Sequence, residues 1–360
     1  MKQELEQLTK SLGVFEKLEH EGLDSPQEIL PRSASDLQRL LQLDPSSVES
    51  VLDAASIEAY DWRLREQVGN ELIGIESQTM LTTGDEIFDD ILKGGIPLGT
   101  ITEVVGESSS GKTQLGLQLC LSVQKPILEG GLEGSAVYIH SEGPFPSARL
   151  NQLVDKYTSD NNNLESEQLR NHIHTMRVTD GESQYRVLAY QLPAFLELQQ
   201  QRSARKVRLI VIDSISAIYR SDGAYKQRFE KMAEICEIGM RLKKLASEYN
   251  VAVVTINQVT DVPDNSLKGN AFTEHMEEWL DFNLVNQHES NRLGLYIHSL
   301  LKRPVLGLSW QNSVNTRIRL ARSQMMDNTA TRRILFIEFS PQAERRGCEI
   351  MIDDTGIHAI

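Results

Sequence analysis

The sequence predicts an α/β core with a mostly parallel sheet, preceded by a small all-α N-terminal domain. Past residue 81, short apolar and β-branched runs alternate with helical stretches, which is typical of a parallel sheet covered by helices on both faces. Before residue 59 the pattern is helical and is interrupted by Gly, Pro and Ser. A G-x-x-x-x-G-K-[ST] segment joins the first core strand to the first core helix. We therefore divide the chain into a helical domain at residues 1–58, a linker at 59–80 and the α/β core at 81–360.

Helix start signals organise the N-terminal domain. Ser25, Ser33 and Ser46 each precede a helical run, where a hydroxyl can accept a hydrogen bond from the first turn. Pro26 suits the first helical position, and Gly22 is a stop signal. The predicted helices cover residues 5–14, 15–21, 34–43 and 46–57, with a further short one from Ser25. These short helices predict a small bundle.

The linker loses helical periodicity but keeps apolar side chains. It contains Trp62 and an apolar segment, the linker patch, formed by Leu72, Ile73 and Ile75. We expect this segment to dock onto a partner.

The core is predicted from alternating periodicities. The predicted strands cover residues 100–105, 136–140, 209–212, 251–256, 316–320, 333–339 and 348–352, and the predicted helices cover 112–123, 148–157 and 228–249.

Composition excludes several classes of protein. Forty per cent of the residues are apolar and 24% are charged, which excludes collagen-like, mucin-like and wholly disordered chains. The apolar runs are far shorter than the ~18 residues of a membrane helix, and the N-terminus is acidic where a secretory signal is basic. We expect no membrane association and a reducing compartment. Cys120, Cys236 and Cys348 lack metal-site or redox spacing, so we expect all three to be small buried residues.

The net charge of −14 is unevenly distributed. Residues 1–80 hold 7 Lys and Arg against 16 Asp and Glu, a net charge of −9, and the rest of the chain carries −5. A protein that binds nucleic acid through its overall field normally has a basic excess. Any DNA contact must therefore come from particular loops or from partner subunits.

The G-x-x-x-x-G-K-[ST] segment, residues 106–113, predicts a phosphate loop. Its glycines and serines let the backbone wrap a phosphate chain with its N–H groups pointing inward. These residues are Gly106, Ser108, Ser109, Ser110 and Gly111. Lys112 is expected to reach the β- and γ-phosphates, and the Thr113 hydroxyl to bind Mg²⁺. The alternative is a Gly/Ser turn before an amphipathic helix, but strand, spacing, Lys-Thr pair and helix all favour the phosphate loop.

Polar side chains follow three other core strands. Asp213 ends one apolar run, where a nucleotide-binding fold has a magnesium partner; the alternative is a cap after a core strand. Glu142 follows another strand, and a carboxylate there can orient and deprotonate an attacking water. Asn257 and Gln258 follow a third and are suited to sensing a γ-phosphate, although a structural role explains them equally well.

These motifs resemble those of RecA-type ATPases, and among them the eukaryotic strand-exchange recombinases and their paralogues. The resemblance covers nearly all of residues 81–360 and extends to the helical N-terminus. The matching segments are residues 13–14, 17–19, 21–23, 81–84, 94–96, 106–114, 130–134, 138–143, Phe145, Arg149, 209–214 and 257–258. Within the family, residues 111–124 and 306–310 are most similar to one recombinase paralogue.

The resemblance implies a RecA-like ATPase core with ATP and Mg²⁺ as cofactors. At matching positions it implies nucleotide or magnesium binding by Lys112, Thr113 and Gln114, water activation by Glu142, contact with adenine by Arg149 and coupling to the following loop by Gln258. In the family, ATP lies at a subunit boundary. Pro341 is therefore expected to cap the nucleotide of a neighbouring subunit.

Departures from the family pattern shape the functional prediction. The N-terminal domain is acidic and has residues 42–46 in place of the Gly-containing hairpin that contacts DNA. The linker lacks the family's F-x-x-A segment, so Trp62 or the linker patch is expected to fill a partner's groove. The chain's one F-x-x-A, residues 145–148, follows Glu142, where the family has a core phenylalanine. A core role and a partner motif are both open for it.

Two loops face DNA in the family. The first corresponds to residues 219–231, where a net charge of +2 and Tyr225 suit phosphate contact and stacking, and a solvated helix face is the alternative. Its candidate DNA contacts are Arg220, Lys226 and Arg228. The second corresponds to residues 259–306, whose acidic first part favours partner binding or a flexible flap. Lys302 and Arg303, near its end, are further DNA candidates.

The predicted function is that of an ATP-binding recombinase paralogue in homologous recombination and double-strand break repair in the nucleus. It acts with another paralogue in a heteromeric complex that promotes or stabilises the main recombinase filament on single-stranded and branched DNA, with weak DNA-dependent ATPase activity. The alternative is a self-polymerising DNA-dependent ATPase that catalyses strand exchange, which the missing linker motif and the acidic loops disfavour. A RecA-fold motor or signalling ATPase is disfavoured by the N-terminal domain and residues 81–84.

Overall fold

A computed structural model describes residues 4–23, 25–59, 79–160, 166–217, 225–261, 283–284, 295–323 and 331–360. The chain forms two compact units, Met1–Ser77 and Gln78–Ile360. Each unit has its own apolar core. Residues 60–78, with Trp62 and the linker patch, lie outside the described residues, so partner docking by this segment stays a prediction.

The described part of the first unit is helical, as predicted. Its helices are α1 (Glu4–Ser11), α2 (Phe15–His20), α3 (Pro26–Ile29), α4 (Ala34–Leu41) and α5 (Pro45–Ala59). Their apolar faces meet in one core. Its most buried members are Ile29, Leu37, Val48, Val51 and Ala55, each at most 1% exposed.

Helix α5 is capped by Asp44, and the prediction of Ser46 as its cap is wrong. Asp44 Oδ1 accepts hydrogen bonds from the backbone N–H groups of Ser46 and Ser47 at 3.0 and 3.1 Å. Pro45 therefore occupies the first helical position, where it needs no N–H. Hydrogen bonds from the side chains of Ser46 and Ser47, and then from their backbone, lower the pKa of Asp44 well below its ordinary value. The predicted cap at Ser33 is confirmed by a bond of 3.1 Å from Asp36 N.

The second unit alternates strands and helices. Its first half contains β1 (Met80–Leu81), α6 (Glu86–Ile91), β2 (Ile96–Pro97), β3 (Ile101–Gly106), α7 (Lys112–Ser122), β4 (Ser135–His140), α8 (Ser147–Asp160), α9 (Ser166–Asn171), β5 (Ile173–Arg177), α10 (Gly181–Arg186) and α11 (Leu192–Arg202). The second half contains β6 (Val207–Asp213), α12 (Tyr225–Tyr249), β7 (Ala252–Thr260), β8 (Asn283–Leu284), α13 (Ile297–Leu300), β9 (Arg303–Pro304), α14 (Gly307–Gln311), β10 (Thr316–Arg322), β11 (Arg333–Phe339), β12 (Arg346–Ile352) and β13 (Ile357–Ala359).

The main sheet of this unit is a twisted layer in the order β13-β12-β11-β10-β3-β7-β6-β4-β5, with β8 beside β12 and β9 beside β7. Strands β1 and β2 form a separate antiparallel pair. The run from β10 to β5 is parallel throughout. The strands β10 to β13 extend it as an antiparallel meander. This arrangement confirms the predicted mostly parallel sheet. The predicted strands omit β5, because His174 and Arg177 interrupt its apolar pattern.

Helices cover both faces of the sheet. Along β6, Leu209 and Val211 face a core shared with α6, α7 and α8, whereas Ile210 and Ile212 face a core shared with α11, α12 and α14. Successive strand residues point to opposite faces, and burial on both explains why the strand is an unbroken apolar run. Of the helices in the described ranges, none is long and apolar enough to cross a membrane.

A charged cluster is buried within the sheet. The Glu103 carboxylate, which is 0% exposed, accepts hydrogen bonds from Asn257 Nδ2 at 2.7 Å and Arg317 Nε at 2.6 Å. Glu338 in turn accepts hydrogen bonds from Arg317 and Arg319. Burial raises the pKa of Glu103, against the opposing effect of the Arg317 charge. Because an unpaired buried charge is costly, these contacts fix β3, β7, β10 and β11 in one register.

The cysteines do not all have the predicted environment. Cys120 and Cys348 are buried, as predicted, and burial raises the pKa of the Cys348 thiol to about 12. Cys236 is exposed on α12, so the prediction that it is buried is wrong. Its Sγ lies 3.9 Å from Ser309 O.

The Gln118 side chain holds the C-terminal strand against α7. Gln118 Nε2 donates to Thr83 O at 3.0 Å and to Ile357 O at 3.1 Å, and Gln118 Oε1 accepts from Ile357 N at 2.8 Å. Gly356 makes this approach possible. Its φ is +143°, and a Cβ there would lie 2.3 Å from Gln118 Oε1.

We predict that Gly356→Ala lowers the free energy of unfolding by about 2–4 kcal/mol, because it combines backbone strain with loss of the Gln118 contacts. Urea denaturation of the full chain measures this value. Gly307→Ala is the matched control, since Gly307 has φ +63° and nothing within 4 Å of its would-be Cβ. It should cost only about 1–2 kcal/mol. Equal losses in the two variants would show that Gln118 does not hold the strand.

Candidate functional site

Four adjacent parallel strands end at one edge of the sheet. Their register pairs Gly106 of β3 with Gln258 of β7 and His140 of β4 with Asp213 of β6. Asp213 also pairs with Ile256 of β7. The segments that follow these strands therefore meet at the carboxyl edge, where open parallel sheets bind their ligands. All four polar segments singled out from the sequence lie there.

The phosphate loop connects β3 to α7 without room for larger side chains. A Cβ on Gly106 would lie 2.3 Å from Leu320 O, and Gly111 has φ +115°. Lys112, which is 8% exposed, donates from Nζ to Gly106 O at 2.8 Å and to Glu107 O at 2.6 Å. The ammonium therefore lies inside the loop, where phosphate oxygens would meet it. The exposed serines Ser108 and Ser109 form the loop's outer part, and Ser110 is buried.

A pocket of about 510 Å³ opens beside the loop. Its walls are Ser109, Gly111, Lys112, Thr113, Gln114, Arg149, Arg333, Ile352, Asp353 and Asp354. Arg149 bridges the pocket, since its Nε donates to Gln114 Oε1 at 2.6 Å and its Nη2 to Asp353 O at 2.5 Å. The structure thus brings together Gln114 and Arg149, two residues that the sequence assigned to the nucleotide.

Four residues that line the pocket, Arg333, Ile352, Asp353 and Asp354, were not predicted as site residues from the sequence. Arg333, the first residue of β11, donates from Nε to Ser109 O at 3.3 Å. Asp353 and Asp354 follow β12. The sequence predicts strands β11 and β12, but it carries no signal that an antiparallel meander brings them back to the phosphate loop.

Thr113 and Asp213 meet directly. Thr113 Oγ1 donates to Asp213 Oδ2 at 2.7 Å, and the Tyr138 hydroxyl donates to the same oxygen at 2.6 Å. Burial raises the pKa of Tyr138 well above its ordinary value, and the negative charge of Asp213 adds to the shift. Hydroxyl and carboxylate oxygens are ligands that Mg²⁺ prefers. The chemistry of this pair therefore fits a magnesium site, with Tyr138 orienting the carboxylate from the core side.

Glu142 and Gln258 also contact each other. Gln258 Nε2 donates to both carboxylate oxygens of Glu142, at 2.7 and 2.8 Å, and Ser214 Oγ donates to one of them at 2.9 Å. Asn257 points away from this cluster, because neighbouring residues of a strand face opposite sides of the sheet. It contacts the buried Glu103 instead. Of the two amides, only Gln258 contacts the cluster at the strand ends.

Other predicted site residues lie apart from this edge cluster or have other partners. Lys302 Nζ contacts Glu107 Oε1 at 3.2 Å and Asp261 Oδ1 at 3.1 Å. Arg303 is exposed on β9, and Pro341 is exposed in the turn after β11.

The first predicted DNA loop is described only in part. Arg220 lies outside the described residues, and Lys226 and Arg228 lie on α12 with side chains that are not described. Most of the acidic part of the second loop, residues 262–282, is also outside the described residues. Phe145 packs edge-on against Tyr138, with 5.2 Å between ring centroids. This contact favours the core interpretation of residues 145–148.

Comparison with known proteins identifies the family. The Rad51 family model matches residues 76–299. The chain is 35% identical to the DNA repair protein XRCC3 homolog of Arabidopsis thaliana over 78% of this chain and 93% of that one. It is 30% identical to DNA repair protein XRCC3 of Mus musculus over 99% of this chain and 98% of that one. It is 32% identical to DNA repair protein rhp57 of Schizosaccharomyces pombe over 78% and 79%, respectively. The likeness to X-ray repair cross-complementing protein three, XRCC3, that residues 111–124 and 306–310 predict is thereby confirmed, and the chain belongs to the Rad51 family.

Proposed function

We propose that this chain is an ATP-binding recombinase paralogue of the nucleus that acts in homologous recombination and double-strand break repair. The observation that carries the proposal is the meeting of the phosphate loop, the Thr113–Asp213 pair and the Glu142–Gln258 pair at one sheet edge. The names of its relatives, which are DNA repair proteins, support the biological setting.

Nucleotide binding follows from the groups at this edge. The loop amides and the N-terminus of α7 favour the negative charge of a phosphate chain. Lys112 exchanges its two carbonyl acceptors for phosphate oxygens, which are stronger acceptors for an ammonium group. Arg149 and Gln114 hold the adenine end of the pocket. Thr113 and Asp213 would hold Mg²⁺, and a bound Mg²⁺ would supply positive charge beside the phosphate chain.

Hydrolysis depends on the Glu142–Gln258 pair. Glu142 is the group that orients a water and accepts its proton. Gln258 donates to both carboxylate oxygens, and hydrogen bonds to the charged form of a carboxylate make it a weaker base towards a water proton. We infer that ATP turnover is slow and that Gln258 links the nucleotide to the end of β7.

The proposed working unit is a heteromeric complex with another recombinase paralogue, which promotes or stabilises the main recombinase filament on single-stranded and branched DNA. ATP acts chiefly as a clamp at the subunit boundary, with Pro341 of one subunit near the nucleotide of the next. The acidic first domain and the linker without F-x-x-A support this proposal over the second candidate, a self-polymerising strand-exchange ATPase. Arg303 is exposed, whereas the Lys302 side chain is 28% exposed, so Arg303 is the more solvent-accessible DNA candidate of the two.

We predict that Lys112→Ala weakens MgATP binding roughly 10- to 100-fold, because it removes a charge-assisted hydrogen bond from the phosphates. Calorimetric titration measures the change. Lys156→Ala, at an exposed position of α8, is the matched control and should bind as the wild type does. Equal affinities for the Lys112 variant and the wild type would remove Lys112 from its role.

We predict that Glu142→Gln spares MgATP binding and lowers turnover between about 10²- and 10⁴-fold, because the amide cannot accept a proton from water. Phosphate release with saturating MgATP and single-stranded DNA measures turnover. An unchanged rate would exclude Glu142 as the base.

We predict that the purified chain stays at one or a few subunits in the presence of MgATP and a single-stranded oligonucleotide, because its filament surfaces differ from those of the recombinases. Light scattering gives the solution mass directly. Growth into long, nucleotide-dependent assemblies would contradict the paralogue proposal and favour the second candidate.

A further inference from the structure

An acidic side chain of the phosphate loop holds two cations from distant strands. The carboxylate of Glu107 contacts Lys302 Nζ through Oε1 at 3.2 Å and Arg322 Nε through Oε2 at 3.0 Å. Its side chain is 14% exposed, so water screens these ion pairs only in part. A carboxylate beside a phosphate chain is repulsive, and the two cations neutralise it. Glu107 is thus an internal contact of the loop and lies beside the motif residues assigned to phosphate binding.

Lys302 carries this contact to the end of β7. Its ammonium also contacts Asp261 Oδ1 at 3.1 Å, one residue past the last residue of β7. Burial opposes the charge on Lys302, but the hydrogen bonds to Asp261 and Glu107 raise its pKa above the ordinary value. The ammonium therefore stays charged at neutral pH and bridges two carboxylates.

The strand ladder beside Lys302 contains Gln258. Strand β9 pairs antiparallel to β7, with Thr260 opposite Arg303, the residue after Lys302. Val305 N donates to Gln258 O at 2.9 Å. A displacement of Lys302 would therefore act on the strand pair that contains the backbone of Gln258.

The backbone of Glu107 is the link to the phosphates. Lys112 Nζ donates to Glu107 O at 2.6 Å. A phosphate chain in the loop competes for that ammonium and adds negative charge next to Lys302 and Arg322. Both effects alter the forces on Glu107 and on the cations that it holds.

We propose that Glu107 is a positioning residue through which phosphate binding in the loop acts on the β7–β9 ladder, by way of the Lys302 ion pairs. The inference rests on the proposed function, since it requires the loop to bind a nucleotide. Glu107, the second residue of the phosphate loop, would then have a role separate from phosphate binding.

Hydrogen exchange of the full chain with and without saturating MgATP tests this inference. In the wild type, MgATP should slow exchange of the amides at residues 258–260 and 305 by about fivefold or more. Glu107→Gln should abolish most of this response. The same variant should bind MgATP at least as tightly as the wild type, because a repulsive charge is gone. A merely structural role for Glu107 would weaken binding instead.

Three further variants distinguish the Glu107–Lys302 ion pair from the Glu107–Arg322 ion pair. Lys302→Gln should reproduce the loss of response, and Glu107→Gln combined with Lys302→Gln should lose no more than either alone. Arg322→Gln removes the second cation of Glu107 and should keep the response.

If the wild type bound MgATP without slower amide exchange at residues 258–260 and 305, this inference would be overturned and the proposed function would stand. The same conclusion would follow if MgATP slowed exchange in Glu107→Gln as much as in the wild type. Absence of MgATP binding by the wild type would overturn the proposed function together with it.

Discussion

The parallel register of β3, β7, β6 and β4 is the constraint on which the site depends. Each strand ends in a residue or loop with its own chemistry, and a slip of one residue would turn that chemistry to the other face. The pairing of Gly106 with Gln258 and of Asp213 with His140 places the ends of the four strands side by side, so that the polar groups of the site lie within contact distance of one another. The register is held from below the site by the buried Glu103, Asn257 and Arg317 contacts. In strand β7, two neighbouring residues have these two different roles: Asn257 contacts the buried Glu103, and Gln258 contacts Glu142 in the site.

The site is also completed by the far end of the chain. Strands β10 to β13 reverse direction and bring Arg333 and Asp353 to the pocket that the phosphate loop begins. Gln118, on the helix after the loop, fixes β13 through two bonds to Ile357. The pocket therefore joins residues about 240 positions apart in sequence. Slow turnover and tight positioning would both suit the proposed role of ATP as a clamp between subunits.

The sequence predicts those parts of the site that depend on local patterns. The phosphate loop, Asp213, Glu142 and Gln258 each follow a recognisable strand, and a parallel sheet collects such ends at one edge. Tyr138, Arg333 and the ion pairs of Glu107 could not be predicted, because they depend on pairing between distant strands. Local competition explains the smaller errors. Asp44 is the cap of α5 instead of Ser46, because Pro45 takes the first helical position. The exposure of Cys236 could not be predicted, because helical periodicity alone does not show how much of a long helix is covered.

We propose that the strand register builds one Mg²⁺-dependent nucleotide site from Thr113 and Asp213. The most direct test is the affinity for ATP measured with Mg²⁺ and with a chelator, in the wild type and in Asp213→Asn. We expect one site per chain whose affinity for ATP rises with Mg²⁺ in the wild type, and a much smaller rise in the variant. An equal rise in both proteins would contradict it, because Asp213 would then contribute nothing to the metal.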